Sequence, residues 1–276
     1  MQMTARLAWA AVFGLAVLWR PAAAETFNIR YEIYAGGFKA LTLDTRAVMA
    51  ERTYDVEVAL KTAGWIDWMI SFRQKVGSRG VTETATQPLL YQSEGVFLGK
   101  RRTTRLDYRA DGGIETTLDP VNDNDENNQR TPVSEDMKPG TIDPVSVLVA
   151  ANHAAARGDR PCSGKAPVYD GRRRFNLVMV DDGVTAVEPT QYSAFSGPAV
   201  RCRITMERLG GFMANPRFNP EAANRVHVVY LARFGEKGLW FPVRLESEST
   251  YGNVVGHMTV IDAKVQPLGR TIRSAS

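Results

Sequence analysis

"TIDPVSVLVAANHAAARG", residues 141–158, is the one convincing α-helix signal in this 276-residue chain. Asp143 suits the cap, Pro144 the first helical position and Gly158 the end. Val145, Leu148, Val149 and Ala156 recur at helical spacing and form one apolar stripe. A helix is therefore expected over 143–157. A single apolar helix among strands must bury its stripe on a sheet.

Outward from this segment the period changes from helical to strand-like. Phe27, Ile29, Tyr31 and Ile33 alternate with Asn28, Arg30 and Glu32. Tyr54, Val56, Val58 and Leu60 repeat the pattern, as do Val200, Cys202, Ile204 and Met206, and later Phe241, Val243 and Leu245. Each run offers one face to a core and one to water, which suits antiparallel pairing. Turn signals such as Gly36-Gly37, Asp111-Gly112-Gly113, Asp170-Gly171 and Asp182-Gly183 separate about a dozen such runs. Pro242 has no N–H to donate, so its strand is expected at an edge or without a ladder bond there. The expected fold is mainly β: a strongly curved antiparallel sheet or open half-barrel, with the helix packed on its concave face.

The first 24 residues carry export signals. Arg6 precedes the twelve-residue apolar run Leu7–Leu18, and Ala22-Ala23-Ala24 supplies small residues for cleavage. The run is short of the roughly 20 residues a spanning helix needs, so a cleaved signal peptide is favoured over a retained anchor. Cleavage after Ala24 leaves a single β-rich domain over 25–276, and no later segment is long and apolar enough to cross a membrane. The expected location is the periplasm. Removing Arg6 and Arg20 leaves 32 basic and 30 acidic residues, a balance that argues against nucleic acid as a partner. Cys162 and Cys202, the only cysteines, read as a disulfide in an exported chain.

"DPVNDNDENNQRTPVSEDMKPG" (119–140) reads as a mobile polar loop, and about 266–276 as a poorly ordered tail. Asp123, Asp125 and Asn127 have the spacing of calcium-loop ligands. Asn128 stands where that loop needs glycine and Ser134 where it needs glutamate, so a solvated loop is the better reading. No nucleophile elbow, zinc-binding His pair or phosphate-binding loop is present, and His153, His227 and His257 share no ligand spacing. No catalytic residue, metal or cofactor is assigned.

"GWIDWMISF" (64–72) concentrates Trp65 and Trp68 in a short helix or turn, read either as a core plug or as an apolar lip that touches a membrane. In the run Arg172-Arg173-Arg174, strand geometry puts Arg172 and Arg174 on one face, for water and acids or for an anionic headgroup.

The order of "YEIYAGGFKALTL", "TAGWIDWMISFRQKVGSRG", "TIDPVSVL", "PVYDGRRRF" and "FSGPAVRCRITMERLGGF" resembles the bacterial envelope family known as domain of unknown function 3108, over roughly 28–262. The resemblance implies a secreted β-rich protein whose fold is reminiscent of periplasmic lipoprotein carriers, in which a curved sheet around helices holds acyl chains. It brings no catalytic residue. The function expected is non-catalytic binding of a hydrophobic or amphipathic envelope component, a lipid or acyl chain, in a groove between sheet and helix. Val145, Leu148, Val149, Trp65 and Trp68 are candidates for its lining, and Arg172 and Arg174 for a headgroup. The alternatives are an envelope assembly module with a protein partner and no small ligand, and an enzyme of unrecognised type.

Overall fold

The computed structural model describes residues 23–97, 99–121, 130–213, 225–249 and 252–267. The first group of strands is β1 (Ala23–Ala35), β2 (Phe38–Met49), β3 (Thr53–Thr62), β4 (Phe72–Thr82), β5 (Thr86–Phe97), β6 (Lys100–Tyr108) and β7 (Ile114–Asp119), with the short helix α1 (Gly64–Met69) between β3 and β4. After helix α2 (Ser146–Ala156) come β8 (Gly164–Tyr169), β9 (Arg174–Val187), β10 (Gly197–Gly210), β11 (His227–Phe234), β12 (Leu239–Ser249) and β13 (Gly252–Pro267). The thirteen strands form one antiparallel sheet in the order β7-β6-β5-β4-β3-β2-β1-β13-β12-β11-β10-β9-β8. Two meanders, one on each side of α2 in sequence, are thus sewn together by the β1–β13 ladder.

The sheet curls until its two edges meet, yet no ladder joins β7 to β8, so it is not a closed barrel. Side chains close the gap instead. Tyr169 at the end of β8 is within 3.4 Å of the Thr116 hydroxyl on β7, and its own hydroxyl donates to the Gly171 carbonyl. Gly171 sits at φ +91°, where a Cβ would collide with the Thr104 methyl and press on Leu106 and Leu118. Glycine is needed here for both backbone and space.

The strand faces follow the alternation in the sequence. Phe27, Ile29, Tyr54, Val56, Val200, Cys202, Phe241 and Val243 are all buried. The largest core cluster joins Phe27, Met49, Tyr54, Phe241 and Met258 to Val149 of α2. The helix is wrapped rather than merely rested on a face: Val147, off the expected stripe, is buried against Val168 and Phe175 on the opposite side. A sheet that curls this far covers more than one face of its helix.

β12 is not an edge strand, since it lies between β11 and β13, and Pro242 meets the other expectation, a place where the β13 ladder does not call on an N–H from it. That ladder begins only at Arg244, and against β11 Pro242 adjoins a register shift at Tyr230/Leu231. The Cys162–Cys202 disulfide ties the segment after α2 to β10, inside a cluster with Val200 and Leu231. Closing a loop of 40 residues contributes about 4 kcal/mol in the chain-entropy description.

The expected signal peptide before Ala23, loop positions 122–129 and the expected tail beyond Pro267 lie outside the described residues. The strand β13 runs past the expected start of the tail, pairing Gln266 with Ala24 and Pro267 with Ala23. Within 119–140, Arg130 bridges Met213 and Glu135–Met137 forms one 3₁₀ turn.

Candidate functional site

The helix is held by polar contacts at both ends, and this sets the shape of the space around it. At its start, Asp143 is fully buried and each oxygen of its carboxylate accepts two hydrogen bonds. The backbone N–H groups of Val145 and Ser146 donate to Oδ1, both at 2.9 Å. The hydroxyls of Ser78 and Ser146 donate to Oδ2 at 2.8 and 2.5 Å. Ser146 also lies 2.7 Å from the Tyr54 hydroxyl, so β3 and β4 grip the helix N-terminus through one carboxylate. Asp143 thus caps the helix as its sequence position suggests. Burial raises its pKa above the ordinary aspartate value, and the four hydrogen bonds pull the other way. Burial likewise pushes the Tyr54 hydroxyl up to about 12, so it stays protonated.

Near the other end, Asn152 of α2 donates to the Trp240 carbonyl at 2.9 Å and accepts from the Trp240 N–H at 2.7 Å. Trp240 belongs to β12, on the opposite wall from β3 and β4. The helix is therefore a strut across the curled sheet. It covers the deep part of the concave face and leaves the rest open.

The uncovered part is a groove of about 780 Å³, within the usual range for small-molecule sites. Its floor follows the ladder register. One row reads Arg102, Gly95, Gln74, Leu60, Leu43 and Tyr31 from β6 to β1. The next row reads Thr104, Ser93, Val76, Val58 and Thr45. Both rows are polar toward β6 and mainly apolar toward β1. Gln74 and Ser93 hydrogen-bond to each other at 2.8 Å on the polar side. Val145 just before α2, Leu148 and Val149 of α2, and Val229, Phe241 and Leu245 of the far strands complete the apolar wall.

Lys100, Arg102, Arg130, Arg172 and Arg173 line the polar end, together with Asp170. Arg172 and Arg173 do not alternate along a strand as expected, because β9 starts only at Arg174. They belong to a turn in which the Asp170 carboxylate accepts the N–H groups of Arg172 and Arg173 at 3.0 and 2.7 Å. The Arg173 guanidinium folds back on the same carboxylate at 2.7 Å, and Arg172 donates to the Pro120 carbonyl at 2.8 Å. Arg174 points elsewhere, to the Met137 carbonyl and the Asn176 side chain, and does not line the groove.

Of the sequence candidates, Val145, Leu148, Val149 and Arg172 thus meet at one groove. Trp65 and Trp68 do not line it; α1 stands off the sheet rim, and none of its residues is buried. The reading of these tryptophans as a core plug is corrected accordingly. The residues missed from sequence are Leu43, Leu60, Arg130 and Arg173, while Lys100 and Arg102 belong to a basic run, Lys100-Arg101-Arg102, that is visible in the sequence. The alternation already pointed Leu60 inward, but only the position of the helix shows which inward residues remain uncovered.

The three histidines lie apart on α2, β11 and β13. Among the described residues no group of three His, Cys, Asp or Glu side chains is placed to hold a metal ion. Asp123, Asp125 and Asn127 lie outside the described residues. No helix among the described residues is long and apolar enough to cross a membrane.

The chain matches the family described as "Protein of unknown function (DUF3108)" over residues 30–259, and it belongs to that family. Among solved structures it is similar to the crystal structure of a beta-barrel-like protein of domain of unknown function DUF1849 from Brucella abortus. The two are 11% identical, with a TM-score of 0.46, and the match covers 89% of this chain and 99% of that one. No curated protein matches the chain.

Proposed function

We propose that this protein is a non-catalytic carrier or receptor for an acyl-chain amphiphile of the cell envelope, acting after export to the periplasm. The observation that carries the reading is the groove itself: about 780 Å³ of concave sheet that the strut helix leaves uncovered, graded from apolar to basic along its length. An acyl chain beside Leu43, Leu60, Val58 and Leu148 replaces water on apolar walls, and its polar head then falls among Lys100, Arg102, Arg172 and Arg173. Arginine forks suit phosphate or carboxylate heads. Export is supported by the apolar leader with its Ala-Ala-Ala end and by the disulfide, which belongs to oxidising compartments.

A titration with monomeric fluorescent fatty acids of increasing length tests the reading. Each added methylene contributes about 0.8 kcal/mol when buried, close to a fourfold gain in affinity per carbon until the groove is full. Leu60→Trp, which places an indole in the groove, is expected to weaken binding at least about tenfold. Affinity independent of chain length, or unchanged by Leu60→Trp, contradicts an acyl chain in this groove.

A further inference from the structure

We infer that the rim around α1 is a docking surface for a lipid bilayer, on which the groove mouth rests while an acyl chain enters or leaves. The inference rests on the groove reading above and adds the partner that supplies the ligand.

The rim is built by strand ends. β1 and β2 meet at Gly36-Gly37, β3 and β4 meet at α1, and β5 and β6 meet beside Gly99. The groove opens on this same side: Ile33, Leu60 and Phe72, each near one of these ends, line it. The Ala63 N–H bonds the Ala40 carbonyl, and the Phe72 N–H donates to the Thr62 hydroxyl. That hydroxyl in turn donates to Asp67 at 2.5 Å, so polar groups hold α1 at the mouth.

Its apolar side chains are left for something else. Trp68 is 90% exposed, Met69 57%, Trp65 53% and Ile70 42%. Phe38, 58% exposed, meets Trp65 edge-on across the β2 end and extends the patch. Single exposed apolar residues are ordinary, but a contiguous apolar patch at a cavity mouth marks a contact surface.

The chemistry of the patch selects a bilayer over a protein groove. Tryptophan concentrates where apolar and wet phases meet. Exposed Lys100, Arg101 and Arg102 stand on the same rim, two strands from β4 and thus about 10 Å away. Cations at that distance reach phosphate heads while the indoles enter the acyl boundary, and anionic lipid strengthens such contacts. A mouth resting on the bilayer also lets a chain pass into the groove without crossing water, the step that otherwise dominates the cost of transfer.

The test uses the folded chain with vesicles of phosphatidylcholine, alone or with about one-third phosphatidylglycerol. Co-sedimentation and tryptophan quenching by brominated lipid report docking. The variant Trp68→Ser with Met69→Ser removes only exposed side chains. Binding of a monomeric fatty acid in vesicle-free solution reports the groove separately. The expected result is binding to the anionic vesicles, weakened by salt, and lowered at least about tenfold in the double variant while its fatty-acid affinity is unchanged. Fatty-acid binding without vesicle binding overturns the docking surface and leaves the groove reading intact. Vesicle binding that the double variant retains also overturns it, as does a sedimentation equilibrium in which the patch is covered by a second copy of the chain. Lip-dependent vesicle binding without fatty-acid binding overturns the groove reading on which the inference rests.

Discussion

Replacing Asp143 by alanine is expected to cost about 3 kcal/mol, and the amount follows from counting its partners. The carboxylate receives two backbone N–H groups at the helix start and two serine hydroxyls, three of the four bonds buried and that from Val145 part-buried. Loss of an N-cap acceptor costs about 1 kcal/mol. Of the two hydroxyls, Ser78 and Ser146 are 2.9 Å apart and can satisfy one another in part. The group left without an acceptor costs about 1–3 kcal/mol. Together these come to about 2–4 kcal/mol, and relief of the buried charge removes the upper part of that range, which leaves roughly 3 kcal/mol in total. For a chain of this size that corresponds to a fall in Tm of about 6–12 °C, measurable by calorimetry or denaturant titration. Asp143→Asn keeps an oxygen acceptor and should lose less. The raised pKa of Asp143 adds a pH signature. The folded pKa is raised, so between the ordinary aspartate value and the raised one the folded state holds more proton than the unfolded state. Wild-type stability from this group therefore declines as pH rises through that window, and Asp143→Asn lacks the slope. If Asp143→Ala unfolds within about 0.5 kcal/mol of wild type, the scale of neutral surface substitutions, the carboxylate does not seat the helix.

Three further outcomes follow from the same contacts. Reducing the disulfide, or replacing Cys162 and Cys202 together by serine, should lower stability by about 4 kcal/mol, read by denaturant midpoint under matched conditions. Gly171→Ala puts a methyl into Thr104 at positive φ and should cost about 1–3 kcal/mol, with faster amide exchange at the β7–β8 seam as the local readout. His257 is buried between Tyr34 and Tyr192 with Nδ1 unpartnered, and burial, then Arg244, lowers its pKa. The unfolded chain thus takes up the proton first, so stability should fall as pH drops from about 6.5, the ordinary histidine value, and flatten above it. His257→Phe should reduce that dependence in pH-resolved unfolding curves.

The sheet was legible because its strands each have one dry face. The runs at Phe27–Ile33, Tyr54–Leu60, Val200–Met206 and Phe241–Leu245 needed only a period of two to be read. The helix was legible from Asp143, Pro144 and Gly158, and the cysteine pair from its isolation in the sequence. What escaped depends on three-dimensional closure. Val147 is buried because the sheet returns around the far side of α2, which no local pattern records. Arg173 joins the groove because Asp170 turns the chain there, so Arg172 and Arg173 precede β9 and strand alternation begins only at Arg174. Pro242 survives between two strands because a register shift and a late-starting ladder remove the need for its N–H. Leu60 looks like a core residue in sequence, and it becomes a groove residue only because one short helix stops before covering it.

The most direct measurement of the central claim is organic extraction and mass spectrometry of protein purified without detergent from its native host, beside Leu60→Trp handled identically. The account predicts a co-purifying acyl-chain amphiphile in near-stoichiometric amount with wild type, and its depletion from the groove-filled variant. Wild-type protein that carries no such molecule and binds none added back contradicts it.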